Sequence, residues 1–212
     1  MVIVVDCGDD VQHYARTFAT RPLPRPASCP GCAAVGHLIG HGSYPRTVAA
    51  PTHAIAIRVP RLLCTACRHT VSLLPSFCLP WRHYASGTVQ TVLTLRCEAK
   101  ASWSRIAARF APADLPTRTT CREWVGAFTD ASAGYLPALL RQLAQGPGRA
   151  SAIEVALADL AAHADPPAQL VAAVPHLLVA LRAAGVTVAG GSGRWLGTLW
   201  QWGSGRKLGG LV

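Results

Sequence analysis

CPGC at residues 29–32 and CTAC at residues 64–67 decide how this chain of 212 residues is read. A Cys-x-x-Cys turn directs two sulfurs at one ion, each about 2.3 Å from it, and turns its own amides towards the same sulfurs. A redox pair needs instead a single Cys-x-x-Cys at the start of a helix that follows a strand, where the helix dipole lowers one thiol pKa. Both pairs here run into strand-like sequence. The expectation is one structural zinc ion held by Cys29, Cys32, Cys64 and Cys67. Such a four-thiolate shell leaves no open position for water, so the metal should hold the fold and not catalyse, contributing on the order of 10 kcal/mol. His37, His41 and His69 lie close enough in sequence to replace a cysteine in the shell. Cys7, Cys78, Cys97 and Cys121 have no such spacing; Cys97 and Cys121 read as small buried hydrophobes.

Between and after the pairs the pattern is that of strands. HLIGHGSYPRTV and HAIAIRVPRLLC form a predicted hairpin, with Ile55, Ile57 and Val59 alternating with Ala56 and Arg58 at period two. HTVSLLPSF after Cys67 is a third strand, ended by Pro75 and Pro80. Two cysteine turns brought together by a hairpin have the layout of a zinc ribbon.

From His83 onward the pattern is helical. Val89, Val92, Leu93 and Arg96 recur at helical spacing, with Ser86 as the expected cap. Ser102 caps a short helix whose Trp103, Ile106, Ala107 and Phe110 form a stripe, and APADLP breaks the chain. Thr117, Thr119 or Thr120 then starts a helix carrying Cys121, Trp124, Val125 and Phe128 on one face. Three helices with a break before the third match a helix-turn-helix. Another helix is expected from Ser132 to Gln145, then a GPGRA linker, alanine-rich helix and a glycine-punctuated tail.

Charge points to a polyanion. Residues 11–110 hold twelve Lys or Arg against the single acid Glu98, so the excess of positive charge surrounds the cysteine pairs. In a helix-turn-helix the third helix enters the major groove. With Trp124, Val125 and Phe128 facing the core, Arg118, Thr119, Arg122 and Glu123 lie on other faces near the helix start and are the expected contacts to double-stranded DNA, joined by Arg46, Arg58 and Arg61 from the basic hairpin.

These residues carry a resemblance. CPGC…HLIGHGSYPRTV…IRVPRLLCTACRHTVSLLPSFCLPWRHYA, followed by SWSRIAARF…RTTCREWV, resembles the amino-terminal zinc-binding region of certain insertion-sequence transposases and a related group of bacterial zinc-ribbon proteins of unknown function. The resemblance spans residues 28–130. It implies DNA recognition and ligand roles for the four paired cysteines. Transposases of this kind also carry three carboxylates that hold two divalent metals, whereas after residue 130 this chain has only Glu154, Asp159 and Asp165, bunched on helical sequence. Transposase activity is therefore excluded for this polypeptide alone, and no nucleophile–base pair or phosphate loop suggests another enzyme.

The expected fold is α+β: a leader over residues 1–27, a zinc ribbon over 28–80, a helix-turn-helix domain over 81–146 and a helical carboxy-terminal region over 147–212. The expected function is non-enzymatic DNA binding, with a transposase or a second copy of the chain as further partners. The alternative is an adaptor that uses the ribbon as scaffold and docks through the carboxy-terminal helices, where Trp195, Trp200 and Trp202 form either a docking surface or part of a core. MVIVVDCGDDVQ has no basic start and no cleavage site, so a cytoplasmic location is expected. Residues 168–181 are apolar but contain Pro175 and His176 and are too short to span a bilayer.

Overall fold

A computed structural model describes the chain except residues 9, 19–22, 51–52, 112–114, 145–149, 184–194 and 205–212. Strands β1 (Val2–Val5), β2 (Leu38–Ala49), β3 (Ala54–Cys64) and β4 (Thr70–Pro75) form one sheet in the order β1-β4-β3-β2. The β2–β3 hairpin stands as expected, antiparallel, with Leu38 opposite Cys64 and Ala49 opposite Ala54. Its register shifts between Gly40 and Ser43. On β3 the buried positions change phase in the same region, from Ile57 and Val59 to Leu62 and Cys64. The strand after Cys67 is β4, antiparallel to β3.

Within the expected leader over residues 1–27, Val2–Val5 and Val11–Thr17 are a strand and a helix packed on the sheet. The four apolar residues of β1 pair in parallel with β4 from Val2–Ser72 to Val5–Pro75. A following helix, α1 (Val11–Thr17), is capped by Asp10, whose side chain accepts from the His13 amide. It buries Val11 and Tyr14 in a cluster with Val48, Ile57, Val59, Leu74 and Phe77. Tyr14 donates its hydroxyl to the Arg58 carbonyl at 2.9 Å, a buried polar tip satisfied as an aromatic core residue requires. Consecutive Leu73 and Leu74 point to opposite faces. Leu73 joins a second cluster with Val5, Cys29, Leu62, Cys64 and Val71.

The helical part begins with α2 (Ser86–Leu93), which runs on through a π-helical turn, Thr94–Glu98. Ser86 is not its cap: the capping position is Ala85, and the Ser86 hydroxyl donates to the Ser76 carbonyl, tying the helix to the end of the sheet. Next, α3 (Trp103–Phe110) is capped by Ser102 as expected, and Ile106 and Phe110 are buried while Ala107 is exposed. Thr117 caps α4 (Arg118–Ala144), accepting from the Thr120 amide at 3.2 Å. The separate helix expected from Ser132 is the second half of α4. The reason lies in the stripe itself: Cys121, Trp124, Phe128, Ser132 and Tyr135, all buried, keep one helical phase across the expected boundary.

Helices α5 (Ala150–Ala161) and α6 (Pro166–Ala183) follow, and the apolar run read as too short for a bilayer lies in α6, with Leu170, Val171, Val174, Leu177 and Leu178 inside. Part of the expected glycine-rich tail is instead α7 (Trp195–Ser204). Gly197 permits it, because a Cβ there would come within 2.8 Å of the Ser76 carbonyl oxygen. One buried cluster joins Val92, Trp124, Phe128 and Tyr135 to Leu170, Val174, Leu177, Trp195 and Leu199. The division placed between residues 146 and 147 therefore does not divide the core. The architecture is α+β, a four-stranded sheet joined to a helical layer. Among the described residues no helix is long and apolar enough to cross a membrane.

Candidate metal centre

The two cysteine turns are built to one pattern. In the first, the Ala33 amide donates to the Cys29 carbonyl at 2.8 Å and the Cys29 amide to the Ala34 carbonyl at 3.0 Å. In the second, the Arg68 amide donates to the Cys64 carbonyl at 2.8 Å and the Cys64 amide to the His69 carbonyl at 3.0 Å. The residue after each second cysteine is left-handed, with φ of 60° at Ala33 and 63° at Arg68. A non-glycine side chain in that region is disfavoured by about 1 kcal/mol or more, so the shared bend is imposed by the loop and not by residue preference.

Long-range pairing brings the turns together. Leu38 opposite Cys64 sets the hairpin register, and just beyond it the Thr65 amide donates to the His37 carbonyl at 2.9 Å. His37 Nδ1 lies 2.9 Å from Thr65 Oγ1. This histidine braces the second turn.

The four sulfurs of Cys29, Cys32, Cys64 and Cys67 all lie within 4.8 Å of one another. Cys29 Sγ is 3.7 Å from Cys67 Sγ, and Cys32 Sγ is 3.7 Å from Cys64 Sγ. A disulfide would need about 2.05 Å. A tetrahedron of thiolates about 2.3 Å from a central ion has edges of about 3.8 Å, which these two pairs match, and all four sulfurs stand close enough to converge on one ion. The expected ligand set is therefore assembled, two sulfurs from each turn, with Cys29 and Cys64 buried and Cys32 exposed.

The sulfurs' electrostatics fit the same purpose. The Gly31 amide donates to Cys29 Sγ at 3.4 Å and is the largest influence bringing the Cys29 thiol down to about 6. At Cys32 the Ala34 amide pulls the same way, but desolvation and hydrogen bonding with the other three thiols outweigh it and push the group up to about 12. Without a cation the cluster admits a first thiolate easily and resists the last. A divalent ion at the centre removes that conflict, and its binding expels the remaining protons.

Cys97 and Cys121, read from sequence as buried hydrophobes, are buried, and so is Cys78. Desolvation first of all raises Cys78 to about 12 and Cys97 and Cys121 to about 11. Iodoacetamide at about pH 8 should therefore leave these three unmodified in the native protein and alkylate them once it is unfolded. Rapid native labelling of Cys78, read by mass spectrometry, would contradict this packing.

The residues expected at DNA fall into separate groups. Arg118, Thr119 and Arg122 are exposed on the first turns of α4. The Arg122 guanidinium lies 5.5 Å from the centre of the Trp103 ring, and that of Arg96 lies 5.1 Å from the same ring. Arg58 is exposed and donates from Nε to Ser43 Oγ at 2.8 Å. Arg61 donates to Thr70 Oγ1 at 3.2 Å. Arg46 is held structurally: its Nη2 donates to the carbonyls of Leu79 and Arg82. Arg46 and Arg61 line one cleft. Of the carboxy-terminal tryptophans, Trp195 is buried, 5.9 Å from Phe128 ring to ring, Trp200 is half-buried and the Trp202 side chain lies outside the described residues. Asp165 pairs with Lys100 at 2.7 Å.

Trp81 falls within the stretch that carries the resemblance, yet the sequence reading gives it no role. It is 87 % exposed and left-handed, with φ of 62°. Its signal is the pair of residues around it, Pro80 before and Arg82 after, an aromatic set between a chain stiffener and a cation.

These features define an α+β protein with a four-cysteine centre positioned to bind a metal. Residues 29–109 match the model of a protein family described as a domain of unknown function (DUF6431). That segment contains all four cysteines, β2 to β4, Trp81, α2 and most of α3. No curated protein and no solved structure matches the chain.

Proposed function

We propose that this chain is a non-enzymatic, zinc-stabilised protein that binds double-stranded DNA, related to the recognition regions of insertion-sequence transposases and lacking their catalytic part. Zinc is the metal of choice because a closed shell of four thiolates on paired turns suits a d¹⁰ ion without a geometric preference of its own. In this reading the cysteine centre and the sheet are a zinc ribbon, and α2, α3 and α4 a helix-turn-helix with α4 as the reading helix.

The observation that carries the DNA reading is the start of α4. A helix N-terminus carries partial positive charge and disfavours cations, yet its first turns expose Arg118 and Arg122 and contain no acid in the first turn. Placing cations there works against the helix unless an anion sits opposite, where the arginines, the Thr119 hydroxyl and the helix end act together. Burial of Cys121, Trp124 and Phe128 on the other face fixes this presentation.

Duplex affinity measured by anisotropy should fall steeply between about 50 and 200 mM salt, by on the order of a thousandfold if about six phosphates are neutralised. Replacing Arg118 and Arg122 together with Ala should weaken binding about tenfold or more and lower the salt slope by about one for each phosphate left without its arginine. Duplex binding unchanged by both salt and the double substitution would refute the proposal.

A further inference from the structure

We infer that the cleft beside Trp81 is a second nucleic-acid site, one that takes an unpaired, single-stranded segment by stacking a base on the Trp81 indole. This goes beyond the duplex reading at the start of α4: it centres on Trp81 and draws in Arg46 and Arg61, which the sequence had assigned to duplex DNA.

Three observations converge. The first is Trp81 itself. A large aromatic left 87 % exposed forfeits the stabilisation of burial, and its φ of 62° places a bulky residue where backbone strain is real. Two costs at one residue indicate that the surrounding structure enforces the position.

The second is how it is enforced. The Arg46 guanidinium donates to the carbonyls of Leu79 and Arg82, on either side of Trp81, and the Arg82 amide closes the same turn onto the Leu79 carbonyl at 3.3 Å. Arg46 sits in the middle of the long β2–β3 ladder, opposite Ile57. The turn that displays the indole is thus clamped to the most regular part of the sheet. Arg46 is a positioning residue for Trp81.

The third is what the indole faces. Trp81, Tyr44 and Arg46 are common to two adjoining clefts, one of ≈ 710 Å³ reaching Arg61 and Trp200 and one of ≈ 490 Å³ reaching Arg82 and His83. Among the described residues no carboxylate lines either cleft. An open trough with an aromatic platform and guanidinium groups along it suits an alternation of flat bases and phosphates. An unpaired strand fits better than a duplex, because stacking on an indole needs a free base face. It fits better than an apolar or proline-rich peptide, because such a ligand brings no anion to the guanidinium groups of Arg46 and Arg61.

The test uses the full-length, metal-loaded chain and a fluorescein-labelled oligothymidylate of about 12 nucleotides, a length within single-strand site sizes. Trp81→Ala should weaken its binding about ten- to a hundredfold, and Trp81→Tyr should restore most of the loss, because stacking tolerates the exchange of one aromatic for another. Binding of duplex DNA should be unchanged by Trp81→Ala, whereas the Arg118 and Arg122 double substitution should spare the oligothymidylate. Failure of that double substitution with a sound Trp81 effect removes only the duplex reading. Equal oligothymidylate binding by wild type and Trp81→Ala overturns the inference, as does the absence of any such binding. A Trp81-dependent affinity for a proline-rich peptide that exceeds the one for oligothymidylate overturns it too.

Discussion

Cys64→Ser should abolish metal retention and unfold the sheet. Cys64 is the ligand whose loss costs most, because it is fully buried among Leu62, Val71 and Leu73 and ends the strand that holds both neighbours of the sheet. Replacing its sulfur leaves three ligands and puts a hydroxyl into an apolar cluster. Structural four-cysteine sites contribute on the order of 10 kcal/mol, as much as the whole stability of an ordinary domain. The sheet's own clusters are small, and the half of the chain that carries them offers few further apolar residues to compensate. Chelation of the metal from the wild-type chain should have the same effect, reversed by returning zinc. The helical cluster contains none of the four ligand cysteines, so helical circular dichroism should survive while the sheet signal is lost. Elemental analysis should give about one zinc per wild-type chain and none for the variant. A variant that melts like the wild type would show that the sulfurs are not what holds the sheet.

The cysteine centre was legible because its chemistry is local: the x-x spacing sets each turn, and the alternation at Ile55, Ile57 and Val59 predicts the hairpin that joins them. Both the ligand set and the three strands flanking it are found where the sequence placed them. What was not legible depends on distant partners. The run Val2–Val5 carries no information that it pairs with residues seventy positions away, and parallel pairing of an edge strand has no turn to announce it. Gly197 reads as a helix breaker until the Ser76 carbonyl is seen against it. The separate helix expected from Ser132 is continuous with the one before it, because the buried stripe from Cys121 to Tyr135 runs through that position. Arg46 reads from sequence as a DNA contact on the basic hairpin, and only the fold turns it into the clamp of the Trp81 turn.

Phe77→Ala should be the most damaging change that leaves the metal in place. Phe77 is fully buried directly after β4, with its ring centre 5.4 Å from that of Tyr14 in an edge-on arrangement. It packs in the cluster that joins α1 to the sheet, with Val48, Ile57, Val59 and Leu74. Its carbonyl accepts from the Ser86 amide at 2.7 Å, so the same residue also fixes the start of α2. Truncating a buried phenylalanine removes its transfer energy and leaves a cavity, about 3–5 kcal/mol in all. Cys29, Cys64 and Cys67 belong to the other cluster of the sheet, apart from Phe77. Metal content should accordingly stay at the wild-type level while the denaturant midpoint falls by most of the stability of the sheet. Phe77→Leu, which keeps most of the volume, should cost much less. If Phe77→Ala instead loses less than about 1 kcal/mol, or loses its zinc with its stability, the sheet is a single metal-nucleated unit. In that case α1 and β1 are attached to it and do not help to hold it.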